Sequence, residues 1–449
     1  MVLCATKQTL MVNANLKIIN DLKLFIQSSK SKRSYFKEES AFTRARKLDF
    51  EKLVVLIVNM LKRSLSIELQ AFFEINGQAN SLCTKSAFTQ QRMKLSNHFF
   101  AAWNVVMVDS FYKHYKKSIK RWKDFRVIAI DGSTAYLMNK PELREHFGVQ
   151  VNQSCSVVMG QIMTAYDVLN EITIAAQLYP IEYSEQQIIN RWTEYYEPDM
   201  LYLYDRGFPS FASIFLHLNQ ERPIRFVMRC RSNFNNETKA FIASNRRSQI
   251  VALTPSDDAI KQLYLLGYGV TKDTQVKIRF VKVELDTGET EILITNLYSE
   301  RKFPARIFKR LYFMRWGIET NYDFQKNVLQ LESFSGHKPE TVLQDFHANI
   351  FVANLHSIIV RKCEPKIKAI TKHRKLKYKI NKNVTIGLFK NRIVNIFLDE
   401  SPQKILEELE ALFIRHLEPI RPNRMYKRKK KTKRLNGKYQ TFSNYKRAI

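Results

Sequence analysis

Apolar and polar positions alternate differently along the chain, and the changes of period divide it into helical and sheet-forming stretches. Up to about residue 125 the apolar residues recur at helical spacing. The clearest case is DFEKLVVLIVNMLKRSLSIELQAFF (49–73), punctuated at Ser66 and by the SLCTKSAF stretch that follows. The texture changes at Arg126. RVIAIDGSTAYL, SVVMGQIMTAYDV and EITIAAQLYP predict three strands, the last two joined by a tight connection at Leu169-Asn170. Next come a helix over SEQQIINRWTEYYE, a strand over MLYLYDRGF, a helix opened by Pro209-Ser210 and a strand over IRFVMRCR. That order specifies an α/β fold with a mixed sheet. Residues 232 to about 300 are again β-like, with VKIRFVKVEL and TEILITNLY joined through a hairpin at Asp286-Thr287-Gly288. A long helical pattern runs from about Pro304 to Leu331. DFHANIFVANLHSIIV then reads as a buried helix, KHRKLKYKINKN as a basic stretch, and QKILEELEALFIRHL as an amphipathic helix that could pack on the core or on a second subunit.

Composition narrows the function. The 449 residues have room for two to four domains, and 45% hydrophobic with 12% aromatic residues excludes wholesale disorder. A net charge of +31 points to a polyanion, usually nucleic acid, although self-repulsion that keeps a soluble protein apart accounts for it too. Lys30, Lys32, Arg33, Arg44, Arg46, Lys47 and the run Gln90 to Lys94 give the N-terminal helices a basic face; this suits DNA docking and equally a solvated surface. The segment Arg421 to Ile449 holds twelve Lys or Arg and no acid, and is expected to stay disordered until it meets phosphate backbone. Leu53 to Leu61, the longest largely apolar run, is far short of the ~20 residues that span a bilayer. The N-terminus lacks the order of a secretory signal. The five cysteines (Cys4, Cys83, Cys155, Cys230, Cys363) are never spaced C-x-x-C and read as reduced thiols of a cytosolic protein.

Three acids stand out by context. Asp131 ends the apolar strand VIAID before Gly132-Ser133, and Asp205 ends MLYLYD before Arg206-Gly207. A carboxylate at the C-terminal end of a sheet strand sits where α/β folds place their chemistry; either Asp could instead cap the next turn. Glu319 lies on the predicted helix, where Tyr312, Arg315, Glu319 and Lys326 fall within a ~60° arc, about 90° round from the apolar stripe of Ile307, Leu311, Met314 and Ile318. An exposed Arg315–Glu319 pair at i,i+4 would explain two of these residues but not all four. Three carboxylates from two strands and a helix are what two divalent ions ~3.5–4 Å apart need for phosphoryl transfer. Magnesium prefers such hard ligands, and Arg315 and Lys326 would then bind flanking phosphates, with Tyr312 donating to a phosphate oxygen.

The string YFMRWGIETNYDFQK, with Y-x2-R-x3-E-x6-K spacing from Tyr312 to Lys326, resembles the signature of the bacterial insertion-sequence transposases of family four. IAIDGST around Asp131, LYDRGF around Asp205 and ILITNL upstream of the signature support the resemblance over Arg126 to about Gly336, with weaker similarity in KYKINKNVTIGLFKNRI and NYKRAI. It implies a cut-and-paste DDE enzyme of the bacterial cytoplasm that acts at the nucleoid on double-stranded DNA, namely terminal inverted repeats and target. It further implies a homodimer holding two ends, no membrane, and magnesium with manganese able to substitute. Catalytic and metal-holding roles fall to Asp131, Asp205 and Glu319, and DNA contacts to Tyr312, Arg315 and Lys326, with Arg206 a weaker candidate equally suited to a salt bridge inside the fold.

The implied layout is a ribonuclease-H-like α/β core over 126–340 with a β-rich insertion at 232–300. A helical, end-binding domain over 1–125 precedes it, and a helical basic region at 341–420 and a tail at 421–449 follow. Relatives that form DNA hairpins can stack a flipped base on a Trp of the insertion. This chain has no Trp between Trp192 and Trp316, so Phe234, Phe241, Tyr264 or Tyr268 substitutes, or the flipping differs. A catalytically silent DNA-binding protein derived from such an enzyme, and a nuclease without strand transfer, are the alternatives. The tail yields its own expectation. Removing 421–449 flattens the salt dependence of DNA affinity, read as a shallower slope of log K against log salt in anisotropy titrations between about 50 and 200 mM. An unchanged slope would mean that the tail does not touch phosphate.

Overall fold

The computed structural model describes residues 2–151, 156–285 and 288–421. The basic tail beyond 421 and the turn at Asp286-Thr287 therefore lie outside the described residues. Two compact units form. One draws on Lys120–Thr134 and Gln161–Asn321, the other on Met1–Ile119, Ala135–Gly160 and Tyr322–Ile449.

A mixed sheet has strands β1 (Arg126–Tyr136), β2 (Val149–Val151), β3 (Ser156–Asp167), β4 (Ile172–Pro180), β5 (Met200–Tyr204), β6 (Arg225–Cys230), β7 (Ser248–Leu253), β8 (Val276–Glu284) and β9 (Thr290–Thr295), of which β4 to β9 and most of β1 and β3 belong to the first unit. The sheet order is β2-β3-β1-β5-β6-β9-β8-β7, with β4 paired to β3. β1, β5 and β6 run parallel, and β9, β8 and β7 continue the sheet antiparallel. Parallel neighbours need a crossover, supplied between β5 and β6 by the helix Phe211–Leu218, which Ser210 caps by accepting from Ser213 N–H. The strands are apolar on both faces because both faces are covered. Ile128, Ile130, Tyr202, Tyr204, Phe226 and Met228 face one core, shared with Ala212 and Leu263. Val127, Leu201, Leu203, Val227 and Val281 face the other, under Phe308, Leu311 and Tyr312.

Two expectations need correction. Residues 232–300 are not purely β: the helices Asn236–Ala243 and Asp257–Leu265 interrupt the strands, started by Asn235 and Ser256, whose side chains accept from Thr238 and Ala259 N–H. Nor is 304–331 one continuous helix. It is a 3₁₀ turn, then helices Phe308–Phe313 and Trp316–Asp323, then a π segment Phe324–Val328. The break tightens through Arg315 N–H to Tyr312 O and Ile318 N–H to Arg315 O bonds. Gly317 is pressed onto Val168, where a Cβ would come within 3.1 Å of the Val168 Cβ, so the chain is pinned there at close approach.

The second unit is mainly helical. The helices predicted before residue 125 and the long helix Pro339–Ile370 pack on one another: Trp103 stacks on Phe351 with ring centroids 4.1 Å apart, and Asn354 donates to Asn104 Oδ1. The amphipathic helix Pro402–Arg415 spends its apolar stripe here, burying Leu406, Leu409 and Phe413 within its own chain, so that stripe is not left for a second subunit. Among the described residues no helix is long and apolar enough to cross a membrane. Cys83, Cys230 and Cys363 are free thiols, the last two buried.

Arg92 is a further correction. The basic run Gln90 to Lys94 suggested a DNA-facing surface, yet Arg92 is 1% exposed. Its guanidinium donates to Gln344 Oε1 (2.5 Å), Ser335 Oγ (2.7 Å), Thr341 O (2.7 Å) and Asp345 Oδ1 (2.6 Å), tying the helix Lys85–Met93 to the long helix. Arg92→Ala leaves the Asp345 carboxylate with Ser335 alone and removes the donor from three other acceptors. It is expected to lower unfolding stability by about 3–5 kcal/mol in urea titrations. A change under about 1 kcal/mol would show that water replaces the guanidinium at little cost.

Candidate active site

Strand register brings two of the acids together. Ile130 pairs with Tyr204 across the parallel strands β1 and β5, so the next residues, Asp131 and Asp205, emerge side by side at the C-terminal edge of the sheet. Side chains alternate along a strand, and Asp131 and Asp205 share parity with Val127, Leu201 and Leu203. They therefore point to the face covered by the helix Phe308–Phe313.

From that face Arg315 reaches in. Its Nη1 donates to Asp131 Oδ2 at 3.3 Å and its Nη2 to Glu319 Oε1 at 2.7 Å, so one guanidinium spans both acids. The Arg315 side chain is 6% exposed, against 19% for Asp131 and 36% for Glu319. It is thus a buried charge held by carboxylates, not a surface i,i+4 pair. Its Nε is buried without a hydrogen-bond partner. The Tyr312 hydroxyl lies 3.2 Å from Tyr204 O and 3.3 Å from Asp205 Oδ1, able to donate to either. Arg229 on β6 approaches Asp205 Oδ1 at 3.8 Å while bonding Glu291 at 2.9 Å.

Electrostatics follow from this crowding. Burial pushes the Asp131 carboxyl up to about 7; Arg315 opposes the shift, and the nearby Glu185 and Asp205 carboxylates add to it. Burial and the neighbouring Asp205 also raise Glu185. Burial raises the Tyr312 hydroxyl well above its ordinary value. The Arg315 guanidinium loses by burial but gains more from Tyr312, Asp205, Glu319 and Asp131, and stays protonated.

Two residues at this edge carried no flag in the sequence. Arg229 lay in a strand read only for its apolar positions. Glu185 opens the helix Glu185–Ile189, where an acid in the first turn is ordinarily explained by the helix dipole. The available signal was Gly132. Its backbone is not in the left-handed region, so what marks it is space: a Cβ would fall 1.9 Å from Glu185 Oε1, and the Glu185 carboxylate would have to move.

The remaining expected residues are placed differently. Arg206 is exposed and makes no hydrogen bond or ion pair among the described residues, which leaves no internal salt bridge for it. Lys326 falls in the other compact unit, within the π segment, with its ammonium 3.9 Å from Glu332 and its pKa lowered by burial. Of the aromatic substitutes considered for base stacking, Phe241 is buried against Phe280 and unavailable, while Tyr264 is 76% exposed.

The donor chemistry fits a hard divalent cation: carboxylate oxygens on adjacent strand ends, with a guanidinium as the stand-in positive charge between Asp131 and Glu319. Among the described residues no three of these acids are already closed on one point as a metal-holding group.

Comparison with known proteins adds a family. The family model described as "Transposase DDE domain" matches residues 122–355. The solved cryo-EM structure of a piggyBac transposase synaptic complex with hairpin DNA aligns over 89% of this chain and 81% of that one, at 11% identity and a TM-score of 0.43. No curated protein sequence matches.

The raised Asp131 carboxyl has a consequence for stability. A carboxyl whose folded pKa lies above its unfolded value of 3.8 binds its proton more tightly in the native state, so it costs no stability at low pH. Its cost grows as pH rises from about 4 and is complete above about 7. Asp131→Asn, without added metal, should therefore melt several degrees higher than the parent at pH 8, the gap closing as pH falls towards 4. Equal melting at pH 8 would mean that the charge is already compensated.

Proposed function

The chain belongs to the DDE-domain transposases, and from that premise we propose that it cuts DNA at the ends of a mobile element and joins those ends to target DNA. Asp131, Asp205 and Glu319 hold divalent cation, magnesium by preference with manganese able to substitute. The observation that supports this most directly is the placement of Asp131 and Asp205 one residue beyond the Ile130–Tyr204 pair of the parallel strands β1 and β5, with Glu319 joined to Asp131 through Arg315. Divalent cation bound by these oxygens supplies charge for the scissile phosphate and an activated attacking oxygen.

The chain's own residues do the rest. Asp131 gives up its proton as positive charge takes its place, which its pKa of about 7 makes inexpensive near neutrality. Arg315 holds Asp131 and Glu319 in orientation through Nη1 and Nη2. Tyr312 steadies Asp205 through its hydroxyl and, with its pKa pushed up, remains a donor rather than an anion. Arg206 offers an exposed cation beside Asp205 to the flanking backbone. Lys326 is assigned the same task by its place in the signature.

End binding is assigned to the N-terminal helices. Lys30, Arg33, Arg44, Arg46 and Lys47 are exposed there, and a polar cavity of about 310 Å³ is lined by Arg44, Arg46, Lys94, Ser40 and Thr43. Cutting and joining at two ends calls for two copies of the chain, and we assign it as a dimer in the end complex.

A cleavage and joining assay tests the reading. Purified protein is incubated with labelled DNA flanking its gene and a plasmid target, with and without magnesium, beside Asp131→Asn and Glu319→Gln. Magnesium-dependent cuts and joined products with the parent are expected, with neither from the variants, while end binding survives in Glu319→Gln. Cuts without joining would make it a nuclease. Binding without cutting, parent and variants alike, would make it a silent DNA-binding protein.

A further inference from the structure

We propose that Glu185 is a fourth carboxylate of the cation site formed with Asp131 and Asp205, and that Gly132 is glycine in order to admit it. The inference rests on the reading of that edge as a divalent-cation site and adds a ligand that the three-acid pattern does not contain.

Position is the first argument. Gly132 and Gly207 come one and two residues after the two aspartates, and the Glu185 carboxylate is lodged against both. A Cβ on Gly132 would meet Glu185 Oε1 at 1.9 Å and Cδ at 2.7 Å, and a Cβ on Gly207 would meet Oε2 at 3.2 Å. The side chain thus lies against the backbone just after both Asp131 and Asp205. Its backbone is fixed there: Ser184 and Gln187 form a capping box, Gln186 Nε2 donates to Gly207 O at 2.9 Å, and Ile188 and Ile189 are buried.

Charge is the second. Asp131 has Arg315, and Asp205 has Tyr312 and Arg229. Glu185, by contrast, makes no hydrogen bond and no ion pair among the described residues, although it is half-buried and faces two other acids. An N-terminal helical Glu acting only on its own helix would turn back to the free N–H groups, and this one does not. A half-buried, unpaired carboxylate beside two like charges is unfavourable unless a cation joins them. A hard divalent ion has the oxygen appetite to use all of them.

The test measures metal binding on the full chain without DNA, by electron paramagnetic resonance of manganese, for the parent, Glu185→Gln, Gly132→Ala and Asp131→Asn. Thermal melts first establish that each variant folds. The expected result is manganese affinity reduced about tenfold or more in Glu185→Gln. Gly132→Ala should show a comparable loss, since it keeps every carboxylate but displaces this one. If Asp131→Asn loses manganese while Glu185→Gln and Gly132→Ala bind like the parent, the fourth-ligand inference is overturned and the three-acid site stands. If parent and Asp131→Asn bind manganese equally, the cation site itself is wrong, and the inference falls with it.

Discussion

Parallel pairing in register between β1 and β5 sets two like charges next to each other at one edge of the sheet. Adjacent strands lie only ~4.8 Å apart, so the Asp205 charge adds to the burial that already disfavours an ionised Asp131. Burial, more than its neighbours' charge, raises the Asp131 carboxyl. Much of the surrounding unit answers that repulsion. Arg315 is buried to bridge Asp131 and Glu319, Tyr312 is turned to put its hydroxyl at Asp205, and Arg229 leans in from the next strand. A fold selected only for stability would not collect acids there, and the transposase retains them at the expense of its metal-free stability.

The helical unit uses charge in the opposite way. Glu68 is fully buried with Lys390, Asp345 is consumed by Arg92, and Glu340 holds Lys37 at 2.7 Å and Asn97. These acids are withdrawn into internal pairs while exposed Lys and Arg such as Arg44 and Arg46 keep no acidic partner. Each such pair withdraws a base along with its acid, so the net excess of bases in the sequence is left unchanged. A DNA-handling protein profits from this through faster encounter and stronger salt-dependent contact.

Period and punctuation were enough to read the sheet. β1, β3, β4, β5, β6, β8 and β9 stand where their apolar runs placed them, because strands covered on both faces leave such runs, while the short β2 and the half-exposed β7 were not singled out. Asp131 and Asp205 were visible because each closes such a run before a glycine turn. Less legible was whatever depends on distance between segments. Glu185 looked like an ordinary first-turn acid, and only its fit against Gly132 and Gly207 singles it out. Arg92 looked like part of a basic face until four acceptors on and near another helix claimed it. The helix carrying Glu319 was taken as uniform, since a 3₁₀ tightening and a π segment depend on packing at Gly317 and Val168 and leave no mark on periodicity. The two helices within 232–300 were masked by their polar, short sequences, in which the capping residues were the available cue.

The outer strands β7 to β9 are not hinged to the core as a separate lobe. β9 is bonded along its length to β6, Asn296 clamps Phe226 N–H and Ile224 O, and Thr295 donates to Phe226 O. β6 in turn carries Arg229, which touches Asp205 and Glu291 together. Force on the outer hairpin would thus pass through backbone hydrogen bonds to the strand that carries Arg229. Mechanically the region is one beam: a displacement of β8 or β9 would pass through paired strands to Arg229 and so toward Asp205.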